Sequence, residues 1–171
     1  MLKNAQSYKS ELQRKYQETI YDIDYQYFHC SFGSVPLMVP DRTFDSHCFV
    51  SVDKKDNIIG YIGYVVDYAA RRVSEYGIIS FDKGNLEFTK DVLQSIDDIF
   101  RKYKMSSLTF SCFTDNPIMP TYTKLVEKYN GRVVGVFNNC AVLLDGKLHN
   151  SVHYEMTLWG YISAKEGFKN V

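Results

Sequence analysis

One stretch of this chain sets two of its strands side by side and parallel. Residues 72–81 are rich in β-branched and aromatic side chains. Residues 86–103 place Val92, Ile96, Ile99, Phe100 and Tyr103 on one helical face, and residues 107–113 form a short apolar run. A strand, a crossover helix and a second strand in one sheet run parallel, with the crossover right-handed. The segments on either side have the opposite habit. Residues 47–53 and 58–67 flank the polar turn Lys54-Lys55-Asp56-Asn57 as a hairpin and lead by another short turn into residues 72–81, which predicts an antiparallel meander. Residues 132–144 and 152–159, around Asp145-Gly146-Lys147, predict a closing hairpin. The expected fold is a mixed α/β (α+β) sheet in which one parallel pair interrupts antiparallel neighbours. Ligands favour the gap where such a pair diverges.

Leu12, Tyr16 and Ile20 recur at four-residue spacing within residues 7–21 and predict an amphipathic first helix. Residues 117–130 predict another, with Tyr122, Leu125, Val126 and Tyr129 facing inward and Pro120 moving its start toward Met119. Residues 29–45, broken by Gly33, Pro36 and Pro40, predict a loop, with room for a short helical turn, that shapes a pocket. The length of 171 residues fits a single domain over residues 1–171.

Twenty basic residues meet twenty acidic ones, so there is no overall positive field for nucleic acid or an anionic membrane. No stretch is long and apolar enough for a signal or a span, so a soluble protein that stays in the cytoplasm is expected. Cys30, Cys48, Cys112 and Cys140 show no C-x-x-C spacing and read as reduced thiols, buried in apolar runs for the last three. The adjacent pairs His29-Cys30 and His47-Cys48 match no usual ligand spacing, so no metal is expected.

Phe81-Asp82-Lys83-Gly84-Asn85 joins the meander to the crossover helix. A Gly/Asn turn ahead of a helix aims free backbone N–H groups outward, and those groups serve equally for capping by Asn85 or for an anion. His153 and Glu155 alternate with core positions on the last strand and read as surface or pocket lining.

The order of elements, with Asp115-Asn116-Pro117 leading into Tyr122-Thr123-Lys124-Leu125 and Gly131-Arg132-Val133-Val134-Gly135 after it, resembles the GNAT superfamily of acyl-CoA-dependent N-acetyltransferases over about residues 47–159. The phosphate loop departs from the family pattern, with one glycine and the acidic Asp82. The resemblance implies acetyl-CoA as co-substrate, with Lys83, Gly84 and Asn85 at its pyrophosphate. It implies main-chain pairing of Ile78, Ile79 and Ser80 with the pantetheine arm, and Asn116 at the end of the fifth strand. Tyr122 takes the place of the general acid that protonates the leaving thiolate. Glu75 takes that of a carboxylate that draws a proton from the amine. The expected acceptor is a small-molecule or peptide primary amine, and a homodimer is compatible with the reading. A non-catalytic CoA- or partner-binding module with the same fold is the alternative.

Overall fold

The structure, a computed structural model of the chain, describes residues 1–28, 39 and 44–167. Most of the loop expected over residues 29–45, with His29 and Cys30, therefore lies outside the described residues. The strands are β1 (Leu2–Asn4), β2 (Ser46–Val52), β3 (Ile58–Asp67), β4 (Arg72–Ser80), β5 (Ser107–Phe113), β6 (Arg132–Val142) and β7 (Leu148–Thr157). The helices are α1 (Lys9–Thr19), α2 (Leu86–Asp97), α3 (Met119–Lys128) and α4 (Leu158–Glu166). Short 3₁₀ segments at Ala5–Tyr8 and Ile23–Phe28 flank α1, and α2 ends in the π turn Asp98–Lys102.

The strands form one sheet in the order β1-β2-β3-β4-β5-β7-β6. As expected, β4 and β5 are parallel and all other neighbours antiparallel. On one face α2, its π turn, α3 and α4 bury Phe88, Ile96, Ile99, Phe100, Val126 and Tyr161 against Ile62, Leu108, Tyr154 and Met156. On the other, Leu12 and Tyr16 of α1 cover Val50, Val52, Ile58, Tyr61 and Ile79. Each face alternates in and out along its strands with the period of two that a pleated sheet imposes. Helix α2 passes so near β3 that a Cβ on Gly60 would fall 2.2 Å from the Phe88 ring, which is why glycine stands there.

Three expectations are corrected. The last strand does not run to Trp159: it ends at Thr157, whose hydroxyl accepts from the N–H of Gly160 and starts α4. The crossover helix leaves α geometry at Asp98. Cys48 and Cys112 are buried, but Cys140 is exposed, because β7 lies between β5 and β6 and leaves β6 at the sheet edge. That edge strand also exposes Val134 and Phe137.

Candidate active-site cleft

The parallel pair holds only at its start, where Arg72 faces Ser107 and Val73 faces Leu108. Beyond Val73, β4 carries one residue more than its other neighbour: Ser74 faces Val65 and Gly77 faces Gly63. Glu75 absorbs the excess at φ +53, in the left-handed region that a non-glycine residue rarely adopts. A bulge bends the strand that carries it. Past this one β4 and β5 separate around a cleft of about 310 Å³.

The two faces of the sheet give the cleft two walls. On the helix side stand Tyr76, Val92, Phe110, Tyr122 and Leu125, which also pack against the core. Ser111, Ser151 and His153 alternate with the core residues Cys112, Val152 and Tyr154, so they belong to the opposite wall, with Tyr27, Phe113 and Phe137. Tyr76 fills the top of the gap and fixes its hydroxyl 2.6 Å from Ser95 Oγ. The Tyr122 ring meets Phe110 edge to face at 5.8 Å. Its hydroxyl makes no hydrogen bond to another described residue, and burial raises its pKa above the ordinary phenol value. The Cys112 thiol, also in the lining, is pushed up to about 12, first by burial and then by the Asp115 charge. It stays protonated at neutral pH and is a poor nucleophile.

The residues expected at the site separate into two groups. Tyr122, Asn116, Ile78 and Ile79 line the cleft. Glu75, Ser80, Lys83, Gly84 and Asn85 are outside its lining; Glu75 is exposed on the bulge. In the turn before α2 the anion-binding groups are occupied. The Asn85 side chain accepts from the N–H groups of Glu87 and Phe88 at 2.8 and 3.2 Å and donates to the Asp82 carboxylate at 2.7 Å. Lys83 turns away from Asp82, with its ammonium 3.3 Å from the Asp24 carboxylate and over the Tyr25 ring. Gly84, at φ +80, faces open space.

His153, which reads as surface or pocket lining in the sequence, faces the cleft, with its ring 4.2 Å from that of Phe137 and Nε2 3.5 Å from Ser151 Oγ. Beside it, buried His149 ties two loops together: Nδ1 lies 2.6 Å from Asp115 and Nε2 2.9 Å from Asp145. The Asp145 contact, helped by Asp115 and opposed by burial, raises the imidazole pKa above its usual value, and the same bond lowers that of Asp145. A raised imidazole adds stability that is full below its unfolded pKa and disappears as pH climbs through the folded one. The lowered carboxylate adds stability that is lost as pH falls through its folded value. The clamp is thus strongest from mildly acidic to neutral pH. We expect the urea midpoint to fall as pH rises from about 6 to 9, and His149→Gln to remove that part of the slope. Equal slopes in both proteins would show that His149 does not hold the loops by charge.

Comparison with protein-family models gives no match, and comparison with curated proteins gives none either. Solved structures do match. Spermidine N-acetyltransferase from Vibrio cholerae, in complex with CoA and spermine, superposes with a TM-score of 0.70 at 13% identity, over 95% of this chain and 97% of that one. A GCN5-related N-acetyltransferase from Brucella melitensis gives 0.65 at 14% identity, over 96% and 78%. The fold of this chain is that of the GCN5-related N-acetyltransferases. Among the described residues no group of three or more His, Cys, Asp or Glu could hold a metal ion, and no helix is long and apolar enough to cross a membrane.

Proposed function

We propose that the protein is an N-acetyltransferase that seats the thioester of acetyl-CoA in the β4–β5 cleft and passes the acetyl group directly to a primary amine. The observation that carries the reading is the two-walled cleft at the splayed parallel pair, in a fold shared with acetyltransferases. The donor lies along the helix side, with its pantetheine arm against the backbone of Ile78, Ile79 and Ser80. The amine approaches from the wall of Ser111 and His153. Its nitrogen attacks the carbonyl carbon and the C–S bond breaks. Tyr122 gives its proton to the departing sulfur. His153, rather than the outlying Glu75, takes the proton from nitrogen. Most of the rate comes from holding the two reactants in line. The protonated Cys112 supports direct transfer over an acyl-cysteine relay. The described lining carries no Asp or Glu, which supports an acceptor less cationic than spermine. The reduced-thiol reading supports a cytoplasmic protein. The exposed apolar side chains of β6 support a homodimer paired along that edge, and a monomer mass in sedimentation would remove it.

One observation favours the second reading, a binding module without turnover. The N–H groups that would meet the pyrophosphate are already capped by Asn85, and Asp82 stands beside them. Binding at Lys83, Gly84 and Asn85 then requires the Asn85 side chain to turn away. A thermal shift decides first. A ligand at a hundredfold excess over its Kd stabilises by about 2.7 kcal/mol, a rise in Tm of roughly 5–10 °C for a domain of this size. No rise at millimolar acetyl-CoA removes the acetyltransferase and the CoA-binding module and leaves a module for another partner. A rise without CoA release across a panel of amines leaves the binding module.

A further inference from the structure

At the end of the sheet away from the cleft, the start of β4, the end of the π turn, the start of β5 and the first turn of α4 enclose a second concavity of about 640 Å³. Arg71, Arg101 and Lys104 line it together with Trp159. Trp159 is the only tryptophan of the chain and is 68% exposed. Glu166, the only acidic residue of the lining among the described residues, pairs with Arg101 at 3.2 Å, so two positive charges stand unbalanced by described residues.

The Arg71 guanidinium donates through Nε and Nη2 to the carbonyl of Lys104, which fixes its plane and leaves its remaining N–H groups without a partner among the described residues. The Lys104 ammonium makes no hydrogen bond or ion pair with a described residue. The backbone beneath is also set, since the Ser106 hydroxyl donates to the Arg71 carbonyl at 2.7 Å and Arg71 and Lys104 both have positive φ. An exposed indole beside two unbalanced cations has two complementary features, a flat π face for an aromatic ring and a fork for an anion. Metal ions and amines are repelled, and a small inorganic anion leaves the indole unused.

We propose that this concavity binds a nucleotide, with the base stacked on Trp159 and a phosphate held by Arg71 and Lys104. The zero net charge of the chain does not oppose this, because the field that a phosphate meets is local. The same chemistry is offered by a free nucleotide or by the end of a single-stranded RNA.

Trp159 reports on its own site. Titrating the full-length protein with AMP is expected to quench tryptophan emission to saturation, with adenosine at least tenfold weaker and inorganic phosphate giving no quench. Lys104→Asn removes the charge with a residue that tolerates the left-handed backbone, and is expected to weaken AMP about tenfold at unchanged Tm. Trp159→Phe keeps the acetyl-CoA thermal shift, since the cleft is at the other end of the sheet. An adenylate decamer binding tenfold tighter than AMP names a strand as the natural occupant, and equal affinity names the free nucleotide. Unchanged emission at about 10 mM AMP, or adenosine binding as well as AMP, overturns the proposal.

Discussion

Tyr122→Phe is expected to lower turnover by roughly ten- to a thousandfold while acetyl-CoA affinity stays within about twofold of wild type. The substitution keeps the ring, and with it the edge-to-face contact to Phe110, and deletes only the hydroxyl. A buried phenol with a raised pKa looks at first like a weak acid. The leaving sulfur, however, develops its charge in the same apolar surroundings. The Cys112 thiol in the lining is shifted the same way, first by burial and then by the Asp115 charge. A thiolate formed there is more basic than one in water, whose thiol has a pKa of about 8.5, which favours proton transfer to sulfur as the C–S bond stretches. The raised value also keeps the donor protonated throughout an ordinary assay range, so Tyr122 adds no basic limb to the pH profile. His153→Gln has a different signature, since its loss bites at low pH and recovers as rising pH supplies neutral amine. Full activity in Tyr122→Phe would end its assignment as the acid. A Glu75→Gln variant slower than His153→Gln would return the proton-acceptor role to the bulge.

Much of this architecture was legible because burial and turn chemistry agreed. β3 and β5 stand where their apolar runs and flanking polar turns put them, and α3 starts at Met119, as Pro120 implied. The misreadings share a cause, which is that a local pattern carries no information about neighbours distant in sequence. Leu158, Trp159 and Tyr161 continue the apolar and aromatic run of β7, and only the Thr157 cap and the buried Tyr161 turn that stretch into α4. Cys140 reads as core until β6 proves to be the edge strand. At the site, Tyr122 and Asn116 came from a motif, and both line the cleft. The bulge left no mark, because Glu75 is neither Gly nor Asn, the residues that usually announce positive φ. Lys83 read as a phosphate ligand because its partner, Asp24, is 59 positions away.

Phe100→Ala is expected to be the most destabilising of these substitutions, at about 3–5 kcal/mol, or a fall in Tm of roughly 6–20 °C. Phe100 is fully buried in the π turn that ends α2, with its ring stacked on Tyr161 of α4 at 4.9 Å. Tyr161 in turn meets the ring of Tyr129, just past α3, at 4.7 Å and donates its hydroxyl to Asp97 at 2.8 Å. This ladder of three rings ties the C-terminal ends of α2 and α3, whose earlier turns supply Val92, Tyr122 and Leu125 to the cleft, to α4. Truncation to alanine removes one end of the ladder and leaves a cavity that the sheet beneath cannot fill, since Ile99 and Leu108 of the same core are already fully buried. Phe100→Leu, which restores most of the volume without the ring stack, should recover more than half of the loss. If the ladder only stabilises, acetyl-CoA still raises the Tm of Phe100→Ala by as much as that of wild type. If it also sets the spacing of α2 and α3, that ligand-induced rise shrinks along with the stability. A fall in Tm under 3 °C would show that the core relaxes around the gap, and that the ends of the two helices are not held by these rings.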